Sequence, residues 1–395
     1  MHVTDAQRRA RLVARHRLDG SAPDPVSAAR AVVAVHASDP VTPYLAVRAR
    51  LRAPATAVAA LDAALYDART LWRLHAVRRT LFVAALEDAA LLEAAAGRDV
   101  AVKERRRVLG WLTTELGDAT AAAAWLGRVE DAVCRALAGT GVDGGLRTTA
   151  LTEAVPDLAL PVTLGSGKYT TRSPVGSRVL FVLAMEGRIV RGRPAGSWRA
   201  SQYAWALAEE WFPQPPPRVA HPVDARTGLL RRYLATHGPV TRTDLRWWSG
   251  WGVGRLEAAL AALDVVEVDL DGGGRGIVLA DDLDHPEPNL GSVALLPGLD
   301  PTPMGWKARD WFLGPHADRL FDRNGNAGPT VWVDGRVVGG WGVRRDGEVV
   351  HRLLEDVGAE ATARVAVAAG ELTDWLDGTS VTPRFRTPLE RELTA

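Results

Sequence analysis

Hydrophobic and polar positions change their spacing several times along the chain, and the changes mark out the elements. Thr4 and Gln7 have capping-box spacing at the start of a charged amphipathic helix reaching about Leu18. Pro25 fits the first turn of a second helix, with Val26, Ala29, Val32 and Val33 leading toward His36. Pro43 opens a third helix through Tyr44, Val47 and Leu51, and residues 55–66 form a fourth. The period then drops to two. Leu71 to Val77 and Thr80 to Ala85 alternate as strands, with Arg78 and Arg79 at the join. Helices followed by a β-hairpin are the outline of a winged helix.

The outline recurs twice. A helix over Trp125 to Leu137 and a helix–turn segment ending at Pro156 precede RVLFVLAMEGRIVRGR, which reads as two strands joined at Glu186-Gly187. GLLRRYLATHG is a helix closed by Gly238. Thr241 and Asp244 cap a short helix after it, WGVGRLEAALAAL supplies another, and VVEVDLDGGGRGIVL folds back as a wing around glycines. The proline run at 213–218 is a stiff boundary before this unit. Beyond Pro286 the segments SVALLPGLDP, PTVWVDGRVVGGWGVRRDGEVVHRLL and ARVAVAA read as β-rich, a small barrel-like or sheet domain with a terminal helix near Glu371 to Leu376. The expectation is an α+β fold. Tandem winged-helix units span 1–115, 116–212 and 219–285, and a small carboxy-terminal β-barrel-like domain spans 286–395.

Composition narrows the partners less than the pattern does. With 395 residues and 47% hydrophobic positions the chain can bury several cores, and a formal net charge of +1 gives no global sign of a polyanionic partner. One cysteine, Cys134, excludes an internal disulfide and a thiolate metal site. The charged amino-terminal helix is not a secretory signal and no long apolar run suggests a membrane span. A reducing, cytoplasmic location is expected.

Local charge is more informative. Residues 168–199 hold Lys168, Arg172, Arg178, Arg188, Arg191, Arg193 and Arg199 against one acid, Glu186, with Trp198, Tyr203 and Trp205 beside them. Guanidinium groups on strands suit bidentate phosphate contacts and adjacent aromatics suit base stacking; a salt-bridged surface is the plainer alternative. Lys307 and Arg309 form a second, smaller cluster. Residues 255–290 carry nine acids against two arginines, so the third unit is expected to be architectural, with Trp247, Trp248 and Trp251 in its core. The nine histidines show no HExxH or paired-ligand spacing, LGSGKYT lacks the full P-loop pattern, and neither GxGxxG nor GxSxG is present in a fitting context. No metal or organic cofactor is expected.

Taken in order, VHASDPVTPYLAVRARL (35–51), LWRLHAVRRTLFVA (71–84), MEGRIVRGRPAGSWRASQY (185–203), HGPVTRTDLRWWSG (237–250), VALLPGLDP (293–301) and PTVWVDGRVVGGW (329–341) resemble the AlkZ/YcaQ-type DNA glycosylases. That resemblance implies winged helices around a concave DNA cradle and, for activity, removal of N7-alkylated purines, with unhooking of interstrand crosslinks in some members. It implies double-stranded, damaged DNA as partner. The family's catalytic Gln-x-Gln or Gln-x-Asp, at the end of the second helix, matches His36 and Ser38, followed by Asp39; neither glutamine is present, so the motif is a variant His-x-Ser. Arg78, Arg79 and Thr80 match an Arg-Gly-Thr stretch with Arg79 in place of glycine.

Under the resemblance His36 accepts a hydrogen bond from the attacking water or acts as its base, Ser38 orients that water, and Asp39 stabilises a cationic sugar. Read without it, Ser38 and Asp39 before Pro40 are a turn or helix cap, and His36 is a satisfied buried histidine. No lysine lies in the motif, so a monofunctional glycosylase is expected rather than a Schiff-base lyase. A transcription regulator and a catalytically dead lesion sensor stay open as non-enzymatic alternatives. No dimerisation helix is legible, and a monomer is expected.

Overall fold

The computed structural model describes residues 1–395 except 142, 143, 166, 168, 169, 285, 288 and 289, so the Lys168 expected at a DNA contact lies outside the described residues. One topology occurs three times: a helix, a short strand, two helices and a hairpin, with the short strand paired to the second hairpin strand. In the first copy, helix Pro25–Arg30 leads to strand Val35–His36, helices Thr42–Arg48 and Ala57–Asp62, and the hairpin Leu71–His75/Leu81–Ala85. In the second, Ala119–Leu137 leads to Leu146–Arg147, Thr148–Ala154, Gly176–Met185 and the hairpin Ile189–Pro194/Tyr203–Leu207. In the third, helix Pro222–His237 precedes Val240, which bridges Ile277, then Arg242–Ser249, Val253–Ala261 and the hairpin Val265–Leu270/Arg275–Leu279.

Local chemistry explains most of these boundaries. Thr4 with Gln7 and Thr241 with Asp244 both form reciprocal capping boxes, so each helix starts where its orphan N–H groups find side-chain acceptors. The second copy needs a glycine at Gly145, just before its short strand. There φ is +82° and a β-carbon would meet the Trp205 carbonyl oxygen at 2.0 Å.

Three expectations are corrected. The helix expected from Pro25 toward His36 stops at Arg30, and Val35 and His36 are strand. The β-branched Val32, Val33 and Val35 weaken a helix there, and Val33 turns the chain at φ +66°. RVLFVLAM is a helix, Gly176–Met185, rather than a strand: Val179, Leu180, Val182 and Leu183 are buried on all sides, and a continuous apolar run carries no period to separate the two states. ARVAVAA lies within helix Gly358–Leu376, whose buried stripe Ala361, Val365, Ala369, Leu372 and Leu376 follows helical spacing.

The carboxy-terminal sheet is open. Its four antiparallel strands Val293–Leu296, Thr330–Val333, Arg336–Val343 and Val349–Leu353 pair in chain order, and no closed barrel forms among the described residues. Helix Gly358–Leu376 covers one face, sharing a core with Val331, Val338, Trp341 and Val343. With a helix burying that face, the short strands need not curl into closure.

Cores are distributed unevenly. Residues of the first and third copies and of the carboxy-terminal sheet share one continuous core, while Val108 to Leu207 enclose their own. Strand His2–Val3 runs parallel to Val265–Leu270, and Arg11 hydrogen-bonds the Gly238 carbonyl and Asp282, so the amino-terminal residues complete the third sheet. No described helix is long and apolar enough to cross a membrane.

Candidate functional site

His36 sits on a two-residue edge strand opposite Phe82, the first hairpin's second strand holding it by ladder pairing. Its ring meets Phe82 edge-on at 4.9 Å, and neither ring nitrogen has a hydrogen-bond partner among the described residues. The side chain is partly exposed. Burial depresses its pKa to about 4, helped by the charge of Arg78 and opposed by Asp300. At neutral pH the imidazole is therefore uncharged and its lone pair is free to accept a hydrogen bond.

Ser38 and Asp39, two and three positions further on, lie in a loop tied to the carboxy-terminal strap, residues 381–388. Ser38 is partly exposed, and its carbonyl accepts a 3.2 Å hydrogen bond from the Arg384 guanidinium. Asp39 is 5% exposed. One of its oxygens accepts from the Val41 N–H at 3.2 Å and the other from the Arg384 N–H at 2.7 Å. Asp39 is thus a fixed carboxylate that turns the loop and clamps the strap. Below it, fully buried Arg50 pairs with Asp300 at 2.8 Å and donates to Thr302, holding helix Thr42–Arg48 against the 297–302 loop.

A basic arc approaches His36 from the hairpin tip. Arg78 and Arg79 both adopt left-handed backbone, φ +53° and +63°. Such conformations cost L-residues about 1–2 kcal/mol each, and strain of this kind concentrates at functional turns. The Arg78 guanidinium lies 4.9 Å from the centre of the Trp247 ring, with Arg309 5.5 Å from the same ring and 4.4 Å from Phe321. Neither arginine has a carboxylate at ion-pair distance among the described residues, and burial lowers both pKa values. Lys307 is exposed, its backbone N–H fixed 2.8 Å from Asp244.

Arg79 and the second-copy cluster are committed elsewhere. Arg79 pairs with Glu104 at 3.2 Å and lies over Phe181. Arg172 pairs with Glu115 at 2.8 Å, Arg188 with Glu130 at 3.1 Å, and Arg193 with Asp62 and Asp67 at 2.9 Å each. Arg191 is packed over Trp205 and donates to the Nδ1 of His75 at 3.2 Å; burial lowers its pKa to about 10. Arg199 donates to the Ser380 carbonyl, and Trp198 packs between Tyr44 and Trp375.

The structure therefore brings His36, Ser38, Arg78, Lys307 and Arg309 into one neighbourhood, linked through Trp247, Phe321 and Arg384. Arg172, Arg188, Arg191, Arg193, Trp198 and Arg199 instead tie elements together. Trp247 and Arg384 were not legible as site residues. Trp248, though partly exposed, stacks on buried Tyr233 and packs against the core, and Trp251 is buried, as expected; Trp247 instead meets Arg78 and Arg309. Only the helical face of Arg242–Ser249 separates it from its neighbours. No cluster of metal-ligating side chains occurs among the described residues.

Fold and site together define a mixed α+β protein of repeated helix–hairpin units, with an uncharged imidazole beside a basic, aromatic-braced arc suited to an anionic polymer. The particular family follows from comparison. The family model "DNA glycosylase AlkZ-like" matches residues 29–375, and the chain belongs to that family. Membership makes it a DNA-binding glycosylase of DNA repair by class. The Streptomyces sahachiroi DNA glycosylase AlkZ structure is similar at a TM-score of 0.70 and 22% identity, covering 95% of this chain and 98% of that one, which reflects a shared fold. No curated protein matches.

Proposed function

We propose that the protein is a monofunctional DNA glycosylase that hydrolyses the N-glycosidic bond of N7-alkylated purines in duplex DNA, including bulky adducts and interstrand crosslinks. The observation that carries the reading is the His36 imidazole: uncharged, partly exposed, and without a protein hydrogen-bond partner among the described residues, beside Arg78. An N7-alkylpurine is already cationic. Its departure needs no acid; breaking the C1′–N9 bond returns the electron pair to the base and neutralises it. Water adds to C1′, and His36 accepts the proton the water loses. Ser38 orients that water through its hydroxyl. The Asp39 carboxylate, held by two backbone N–H groups, adds negative potential toward the cationic sugar. No lysine stands in this loop to form a Schiff base.

The three repeated units are read as winged helices, over 1–115, 116–212 and 219–285, arranged so that the first hairpin tip and the 307–309 segment face duplex DNA as a concave cradle. Arg78, Lys307 and Arg309 are the phosphate contacts of this reading. The protein acts as a monomer.

The test is release of free base from duplex DNA carrying N7-methylguanine, a bulky N7 adduct or an N7 crosslink, followed by mass spectrometry. Release by the wild-type protein, lost about 10²–10⁴-fold in His36→Ala with duplex binding retained, is the expected outcome. Binding of damaged duplex without release from any of the three would make the protein a lesion sensor. A sequence-dependent footprint on undamaged DNA would make it a regulator.

A further inference from the structure

Beside the His36 neighbourhood, and sharing Lys307, Phe321 and Arg384 with it, the described residues hold a large basic hollow that the chemical step itself does not use. It has a volume of about 1060 Å³ and opens between the 317–325 segment, the carboxy-terminal strap and the short helix Pro388–Leu393 that follows it. Its charged lining is Lys307, Arg323, Arg384, Arg386 and Arg391 against Asp318 and Asp322. How these charges are already engaged decides what the hollow can bind.

Asp322 is spent on its own loop: one oxygen accepts from the Asn324 and Asn326 N–H groups at 2.8 and 2.9 Å, the other from the Asn326 side chain at 2.8 Å. Arg386 is tied to Glu390 at 2.7 Å. The side chains of Lys307, Arg323 and Arg391 have no carboxylate or hydrogen-bond partner among the described residues, and all three are exposed. Arg384 spends its guanidinium on a carbonyl, that of Ser38, which leaves its charge unneutralised. The contrast with the second-copy cluster is direct. There Arg172, Arg188 and Arg193 each face a carboxylate within 3.1 Å; here Lys307, Arg323 and Arg391 line one open hollow unpaired, with exposed Asp318 the one lining carboxylate not tied to its own loop.

We infer that this hollow is a seat for the phosphodiester backbone of duplex DNA flanking the lesion, so that the carboxy-terminal strap is part of the DNA interface. The inference deepens the glycosylase reading and rests on it. Exposed guanidinium groups without protein anions gain most from phosphate oxygens, because binding exchanges hydration for charge-assisted hydrogen bonds and releases counterions. Half-buried Phe385 lines the hollow between Arg384 and Arg386. The seat is also joined to the catalytic loop. Arg384 holds Ser38 through its side chain and Asp39 through its backbone, so a phosphate drawn to the strap presses on the loop that carries the chemistry.

The experiment measures binding of an undamaged duplex by fluorescence anisotropy between 50 and 200 mM salt, conditions spanning the usual range for such contacts. It uses the wild type, Arg323→Ala/Arg391→Ala, and Arg242→Ala/Arg275→Ala. The last pair removes the same charge from the acidic third hairpin region, where both arginines already face glutamates. The seat predicts that the slope of log affinity against log salt falls by about 2 in the first variant, near 0.9 per lost phosphate contact. The control keeps the wild-type slope. An unchanged slope in Arg323→Ala/Arg391→Ala, or an equal fall in both variants, overturns the seat while the glycosylase reading stands. No duplex binding by the wild type would overturn both.

Discussion

At the residue scale the chemistry turns on a histidine kept neutral by its surroundings. His36 has its pKa depressed to about 4, so general-base activity should persist at pH 5, where an unperturbed imidazole is mostly protonated. The expected pH–rate profile of kcat/KM has its acid limb near 4. Arg78 contributes to that depression, so Arg78→Ala should move the limb toward higher pH as well as weaken DNA binding. A limb that stays in place would detach Arg78 from His36. His36→Gln tests the variant motif from the other side. Glutamine can still hold a water, and the family resemblance puts glutamine at this position, so base release should fall far less than in His36→Ala. Neither residue's setting was visible in the sequence. The spacing of His36 and Ser38 was legible through the family pattern, but the tether of Asp39 to Arg384 joins positions 345 residues apart, which no local pattern encodes.

At the element scale the loop and strap are held from beneath by one buried ion pair. Arg50 and Asp300 are both fully buried and bound in two-fold fashion, with Thr302 and the Ala46 carbonyl as further partners of the two terminal guanidinium nitrogens. Removing one member of such a pair strands a buried charge and costs about 3–5 kcal/mol. Asp300→Ala should therefore unfold at markedly lower denaturant in equilibrium urea titration, and a loss under about 1 kcal/mol, the size of a surface pair, would contradict its anchoring role. Elements with a clear period or cap stand where the sequence pattern puts them: both capping boxes, the first hairpin, and the helix closed by Gly238. The errors at Gly176–Met185 and within Gly358–Leu376 share a cause. Runs of alternating or continuous valine and alanine satisfy both periods, and burial against neighbours far along the chain decides between them.

At the scale of the whole molecule, neutral histidines make the fold sensitive to acid. His16, His36, His75 and His237 all have pKa values pushed below the usual imidazole value, chiefly by burial. His237 stands at about 3, edge-on to His16 and against Trp306. With folded-state values below the unfolded one, the unfolded chain binds more protons at low pH. Their contribution is intact above about 6.5, the unperturbed value, and is lost progressively as pH falls toward 4 and 3. Each such group weakens the fold by about 1.4 kcal/mol per pH unit within that window. Thermal unfolding followed from pH 7 to pH 4 should show a steep drop in Tm that substitution of His237 by Gln reduces; a flat profile would contradict the neutral assignment. The α+β class and the hairpins of the first and third units were legible from the sequence; the second unit's hairpin, expected to turn at Glu186-Gly187, instead pairs Ile189–Pro194 with Tyr203–Leu207. The shared core of the first and third units, the crossing of the amino-terminal strand onto the third sheet and the open carboxy-terminal sheet were not, because they depend on pairings between distant segments.

The central claim, that His36 activates water for base excision, is tested most directly by single-turnover release of N7-methylguanine from duplex DNA at saturating protein, wild type beside His36→Ala. The wild type should release the base, and His36→Ala should do so at least about 10²-fold more slowly while binding the duplex equally well. Equal release rates from the two proteins would contradict it.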